Sequence, residues 1–146
     1  MAITQALANS FKKELLEAEH NFKQTGGDKF KIALYTSSAT LNSATTAYTA
    51  SNEVANSGTY ASGGDALAGQ NTSIASGVAI VDFADLSFTG VTLTARGALI
   101  YNTSSAVTNA AVAVLDFGAD KTATSGTFTI QFPAFTTAAA ILRISG

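Results

Sequence analysis

His20 is the chain's one histidine, and there is no cysteine, so imidazole and thiolate chemistry rest on a single side chain. His20 follows a charged run expected to be helical. At a helix C-terminus a solvated or dipole-capping imidazole is the simplest reading. A Ser-His-Asp relay needs a preformed geometry that a fraying helix end does not supply. One histidine cannot build a histidine metal cluster. Four aspartates come closest to a metal site: Asp82 and Asp85 flank Phe83-Ala84, and Asp116 and Asp120 flank Gly118. Calcium takes roughly six to eight oxygens, usually from a D-x-D-x-D-G run. That run is missing, so these aspartates are expected to bond local N–H groups at strand ends and turns.

Other candidates bear on binding. Arg96 sits before Gly97 in an otherwise apolar stretch. It reads either as a carboxylate clamp across an interface or as an edge charge that blocks unwanted strand pairing. Arg143 poses the same choice. Gly63-Gly64-Asp65 lacks the lysine and the helix of a phosphate-binding loop. Asn71-Thr72-Ser73 and Asn102-Thr103-Ser104 match the glycosylation sequon, but the opening Met1-Ala2-Ile3-Thr4-Gln5 has no basic region leading into an apolar stretch, so no secretory signal is expected. Tyr48 and Tyr60 stand in a long polar stretch, where tyrosine is favoured at interfaces; they are also the only candidates for a glycan platform. With no acid–base constellation, the expectation is a protein without enzymatic activity, cofactor or metal.

Composition supports a packing role. The 146 residues are 47% hydrophobic and only 12% charged, against about 25% charged in a usual soluble domain. Thr, Ser, Ala, Asn and Gly replace the charge, a mixture suited to closely packed strands and to interfaces depleted in charge. The net charge of −2 gives no long-range attraction to nucleic acid or anionic lipid. No apolar run reaches membrane-spanning length. Neither nucleic acid nor membrane is an expected partner.

The elements that must position these residues read as follows. Residues 1–25 are expected to form one N-terminal α-helix, capped by Thr4, with Leu7, Phe11 and Leu15 recurring at i+4 and Ala18 and Phe22 extending that side. Lys13 and Glu17 are a helical i,i+4 pair. Residues 28–146 are expected to form a β domain with a polar excursion at 36–75, the whole making one structural domain over 1–146. Phe30–Tyr35 alternates as a strand. The excursion is punctuated by Leu41, Tyr48, Val54, Tyr60 and Leu67, with short strands expected near Glu53-Val54 and Thr59-Tyr60, and is expected to touch a neighbouring subunit. Strands are then expected at 78–83, 86–88, 91–93, 96–101, 111–117, 127–132 and 140–144, with turns at Asp120-Lys121 and Ser125-Gly126 and a stop at Pro133. The 111–117 run, apolar at nearly every position, is expected to be covered on both faces. This predicts a mainly β fold: an antiparallel β-sandwich or jelly-roll-like barrel of about eight strands with one N-terminal helix.

Several segments carry a likeness to known proteins: Met1-Ala2-Ile3-Thr4-Gln5-Ala6, Ser10-Phe11-Lys12, Glu14-Leu15-Leu16, His20-Asn21-Phe22, Phe30–Thr36, Arg96–Asn102, Ala113–Gly118 and Gly126–Pro133. Together they resemble small virion structural proteins of tailed bacteriophages, of the cyanophage and marine phage type. The likeness carries no catalytic motif. It implies a protein present in many copies on a phage particle, made in the host cytoplasm. Within that frame the expectation is a capsid decoration, or cement, protein. It would be a homotrimer or other homo-oligomer, bound to major capsid subunits at the capsid surface. Alternatives are a tail, baseplate or fibre component, or a carbohydrate-binding adhesion module. Leu7, Phe11, Leu15, Tyr48, Tyr60 and Arg96 are the interface candidates.

Overall fold

The computed structural model describes residues 2–145; Met1 and Gly146, the bounds of the expected domain, lie outside the described residues. The elements in chain order are β1 (Ala6–Leu7), α1 (Asn9–Leu16), β2 (Phe30–Tyr35), β3 (Asp65–Ala66), β4 (Asn71–Ala75), β5 (Val78–Asp82), β6 (Leu86–Asn102), β7 (Ala110–Ile130) and β8 (Leu142–Ile144). Among the described residues the strands form two antiparallel sheets. One has five strands in the order β1-β7-β6-β2-β3, and the other three in the order β4-β5-β8. The fold is mainly β, in keeping with a β-sandwich.

The centre of the larger sheet is a single long hairpin, β6 with β7. The segments at 86–88, 91–93 and 96–101 are not separate strands but one strand of 17 residues, and that at 111–117 and the first four residues of 127–132 belong to one of 21, which ends at Ile130. The turn-like residues between them mark breaks in register, at Phe88/Val91, Val91/Leu93 and Ala95/Gly97. Gly90 and Ser125 take positive φ, of 60° and 44°, at two of these irregularities. A β-bulge absorbs such residues without ending the pairing, which is why turn chemistry here bends strands instead of reversing them.

Past the bulges the ribbon keeps two distinct faces. Phe88, Val91, Leu93, Ala95, Ala123, Phe128 and Ile130 are buried, while Ser87, Thr89, Thr92, Thr94, Thr122, Thr124, Thr127 and Thr129 are exposed. Hydroxyls meet across the strands: Ser87 Oγ lies 2.9 Å from Thr129 Oγ1, and Thr94 Oγ1 lies 2.9 Å from Thr122 Oγ1. Of the run expected to be covered on both faces, Ala111–Val114 is buried together with Ala110, while residues 115–117 are only half-buried.

The N-terminal segment departs from the expected long helix. Leu7 is in β1, opposite Ala113 of β7. α1 has only eight residues, and its N-cap position is Ala8, which makes no side-chain cap. It stops at Glu17, and Ala18 turns left-handed with φ of 61°. The reason lies in packing. A continuous helix would carry Phe22 about 16 Å along the axis from Phe11. Folded back, the two rings sit 6.0 Å apart, and Phe22 stacks on Phe30 at 4.4 Å. Burying that aromatic cluster outweighs the few weak terms that favour a longer helix, such as the exposed Lys13–Glu17 pair at 2.7 Å.

Candidate functional site

Among the described residues, two polar clusters, an apolar groove beside α1 and the outer edge of β7 have chemical character. The first cluster centres on Glu53, which sits opposite Tyr35 in an isolated bridge. Its carboxylate accepts hydrogen bonds from the Tyr48 hydroxyl, from the Tyr60 hydroxyl at 2.7 Å and from the Gly63 N–H at 2.7 Å. The Tyr60 hydroxyl also accepts the Leu34 N–H at 2.8 Å. Tyr101 donates to Gly63 O at 2.6 Å and stacks on Tyr48; Tyr35 donates to Thr49 O at 2.6 Å. All four tyrosines of the chain join this assembly. Burial, with the Glu53 charge adding to it, pushes the Tyr101 hydroxyl up to about 12, and Tyr35 moves up for the same two reasons. Tyr48 and Tyr60 are also pushed up, chiefly by burial and further by their hydrogen bonds to Glu53. They are donors held in the neutral form, not bases.

This cluster pins the polar excursion to its own chain. Leu41, Val54, Tyr60 and Leu67 are buried, and the short strands expected near Glu53 and Tyr60 are single bridges. Tyr60, 1% exposed, presents no side-chain surface to a partner. Tyr48 is half-buried against Tyr101. Neither forms an exposed platform.

The second cluster corrects the solvated reading of His20, which is buried. Its Nε2 lies 2.9 Å from Glu14 Oε1 and its Nδ1 lies 2.9 Å from Asn102 Nδ2. Asn102 Nδ2 also donates to Asp28 Oδ2 at 2.7 Å, and Asn102 Oδ1 accepts the Ser104 N–H. An amide donating both protons leaves His20 Nδ1 an acceptor and puts the imidazole proton on Nε2, toward Glu14. The network ties the loop after α1 to the end of β6. Its polar groups satisfy one another, which is what buried groups require.

Of the four aspartates, Asp85 and Asp116 hold local structure, whereas Asp82 Oδ1 is buried with no hydrogen-bond partner. Asp85 Oδ1 accepts the Phe132 N–H at 2.9 Å. Asp116 accepts the Gly118 N–H at 2.9 Å and Arg96 Nε at 3.1 Å; these two contacts, the backbone one foremost, hold its carboxyl below the usual range. Arg96 is thereby engaged within its own chain, as a partly exposed cross-strand pair. Among the described residues no three acidic or histidine side chains converge to hold a metal.

A concavity of about 740 Å³ lies between α1 and the sheet β4-β5-β8. It gathers three of the predicted interface residues, Leu7, Phe11 and Leu15, and adds Leu16, Phe22, Ile80, Val81, Leu142 and Ile144. Among the described residues its charged lining side chains are Lys12, Lys23 and Arg143. Ile74, Ala79 and Ile144 face one another across the three strands. Leu16, Ile74 and Ile144 are 91%, 72% and 60% exposed, a concentration of bare aliphatic surface unlike scattered single residues. The sequence carries no sign of the contribution of Ile74, because β4 lacks an apolar period and reads as polar excursion. Searches against protein-family models, curated proteins and solved structures return no match.

Proposed function

We propose that this protein is a non-enzymatic structural subunit of a tailed-phage particle, a capsid decoration protein that binds major capsid subunits and stabilises the outer shell. The observation that carries the reading is the aliphatic surface around the α1 groove. Leu16, Ile74 and Ile144 stand in solvent beside a groove lined by Leu7, Phe11 and Leu15. Surface of this kind gains free energy when a partner removes it from water. Lys12, Lys23 and Arg143 on the lining, with no carboxylate among the described lining residues, suit an apolar partner segment that carries acidic residues. The resemblance of the Phe30–Thr36, Arg96–Asn102 and Gly126–Pro133 segments to small virion proteins supplies the particle as the setting. Two polar clusters closed on themselves offer no free base or nucleophile, which favours binding over catalysis. A glycan-binding module is disfavoured by the burial of Tyr60.

The test is the copy number and location of the protein in purified particles. A ratio near one per major capsid subunit, with density spread over the shell, supports decoration. A handful of copies confined to the tail assigns the protein to tail or baseplate instead. The variant pair Leu16→Asp and Ile144→Asp, added to particles lacking the protein, is expected to fail to bind where the wild-type chain binds. Equal binding by these variants removes the groove from the interface.

A further inference from the structure

β7 runs well beyond the strand that covers its outer side. β1 reaches only Ala113 and Val114. One residue further back along the N-terminal segment, the Gln5 side chain accepts the Asp116 N–H at 3.3 Å. The N-terminal segment then leaves: the Thr4 N–H bonds Leu41 O at 2.9 Å, and Ile3 bridges Leu41. From Phe117 to Ile130, β7 has β6 on one side and no strand on the other among the described residues. A groove of about 490 Å³ follows this edge, lined by Gln5, Phe117, Phe128, Ile130, Phe132 and Ile141.

Sheet edges are normally guarded by charge or proline against pairing with another chain. Here Lys121 and Pro133 stand at the two ends, and Thr122–Phe132 between them contains neither. Outward main-chain N–H and C=O groups on an extended strand are matched by one kind of partner, another extended strand. The segment also matches itself. In an antiparallel register centred on Thr129, Phe128 faces Ile130 and Thr127 faces Gln131. The first pair belongs to the buried face and the second to the exposed face, so apolar meets apolar, polar meets polar and no charges are opposed. The α1 groove lacks this property, since two copies would bring Lys12, Lys23 and Arg143 against their own kind.

We propose that the β7 edge pairs with the same edge of a second copy of this chain across a two-fold axis, joining two five-stranded sheets into one. The contact is isologous, so the elementary unit is a dimer, and any larger ring needs a second, different contact. The proposal is independent of the particle reading, because purified protein alone tests it.

Sedimentation velocity over a micromolar concentration series is expected to show a dimer for the wild-type chain. Thr127→Lys with Gln131→Lys places two like-charge pairs across the two-fold and is expected to weaken dimerisation about tenfold or more. Thr127→Lys with Gln131→Glu sets each lysine opposite a glutamate of the other copy and is expected to keep the dimer. Both positions are exposed, so circular dichroism should report an unchanged fold in both variants. A wild-type monomer overturns the proposal. So does a dimer of unchanged affinity in the double-lysine variant, including one lost instead on Leu16→Glu, which would move the contact to the α1 groove. Equal loss in both charged variants overturns the two-fold register.

Discussion

The Tyr60 hydroxyl bonds the Leu34 N–H of β2 and the Glu53 carboxylate together, so one phenol joins the central sheet to the polar excursion. Removing that hydroxyl by Tyr60→Phe leaves a buried N–H without a partner and is expected to cost about 1–3 kcal/mol. Glu53→Ala strands the Tyr48 and Tyr60 hydroxyls and the Gly63 N–H at once, and is expected to cost more than Tyr60→Phe. Urea denaturation of the two variants checks the order. If Glu53→Ala proves the milder change, the carboxylate is not the centre of the cluster.

The tyrosines predict an alkaline limit to stability. A free tyrosine ionises near pH ~10, while Tyr101 is pushed up to about 12 and Tyr35, Tyr48 and Tyr60 are also raised. The folded state binds these protons more tightly than the unfolded state. Their contribution is therefore whole below the ordinary tyrosine range and is lost as pH rises through the folded values. Absorbance near the phenolate band should show little ionisation of the folded chain around pH ~10, followed by a cooperative rise that coincides with loss of the circular dichroism signal. Four independent ionisations at the ordinary value would contradict the buried assembly.

Asn102 holds His20 Nδ1, Asp28 and the Ser104 N–H with one side chain. Asn102→Ala is expected to destabilise by about 2–3 kcal/mol, because buried polar groups lose partners and no water-sized replacement is guaranteed. Chemical denaturation measures it. A loss of only a few tenths of a kcal/mol would mean that the network does not anchor the loop to β6.

Gly64 adopts φ of 78°, and a Cβ there would sit 1.7 Å from Ile32 O. The obstacle is strand backbone, which cannot step aside as a flexible side chain can. Gly64→Ala is expected to lower stability by about 3 kcal/mol or more, combining left-handed strain with the clash. Gly77→Ala is the control: it shares a positive φ, of 76°, but meets nothing within 4 Å, so only the strain of about 1 kcal/mol remains. Thermal unfolding of the pair separates the two effects.

The strands were legible wherever apolar residues kept a period of two. Phe30–Tyr35 and the face holding Phe128 and Ile130 are where alternation places them. Bulges were not legible, because Gly90 and Ser125-Gly126 have the chemistry of turns and only tertiary pairing decides that the strand continues. The helix was over-read for a related reason: Leu7, Phe11, Leu15 and Phe22 keep helical spacing, yet Leu7 serves a sheet and Phe22 an aromatic stack. Of the interface candidates, Leu7, Phe11 and Leu15 share one groove, while Tyr48, Tyr60 and Arg96 are occupied within the chain by Tyr101, Glu53 and Asp116. The buried network around His20 left no local trace, since Asn102, which bonds both His20 and Asp28, reaches them only after β6 docks beside β2.

Pairing of β1 with β7 sets Ala6 against Val114. During synthesis the first strand therefore emerges long before its mate, and the sheet cannot close from the N-terminal side until most of the polypeptide has left the ribosome. The β6–β7 hairpin, whose two arms follow each other directly, can zip first and offer a finished template. Slow, long-range closure by a two-residue strand makes this step the natural place for a refolding delay, and until it completes the apolar run Ala110–Val114 is open to passing chains.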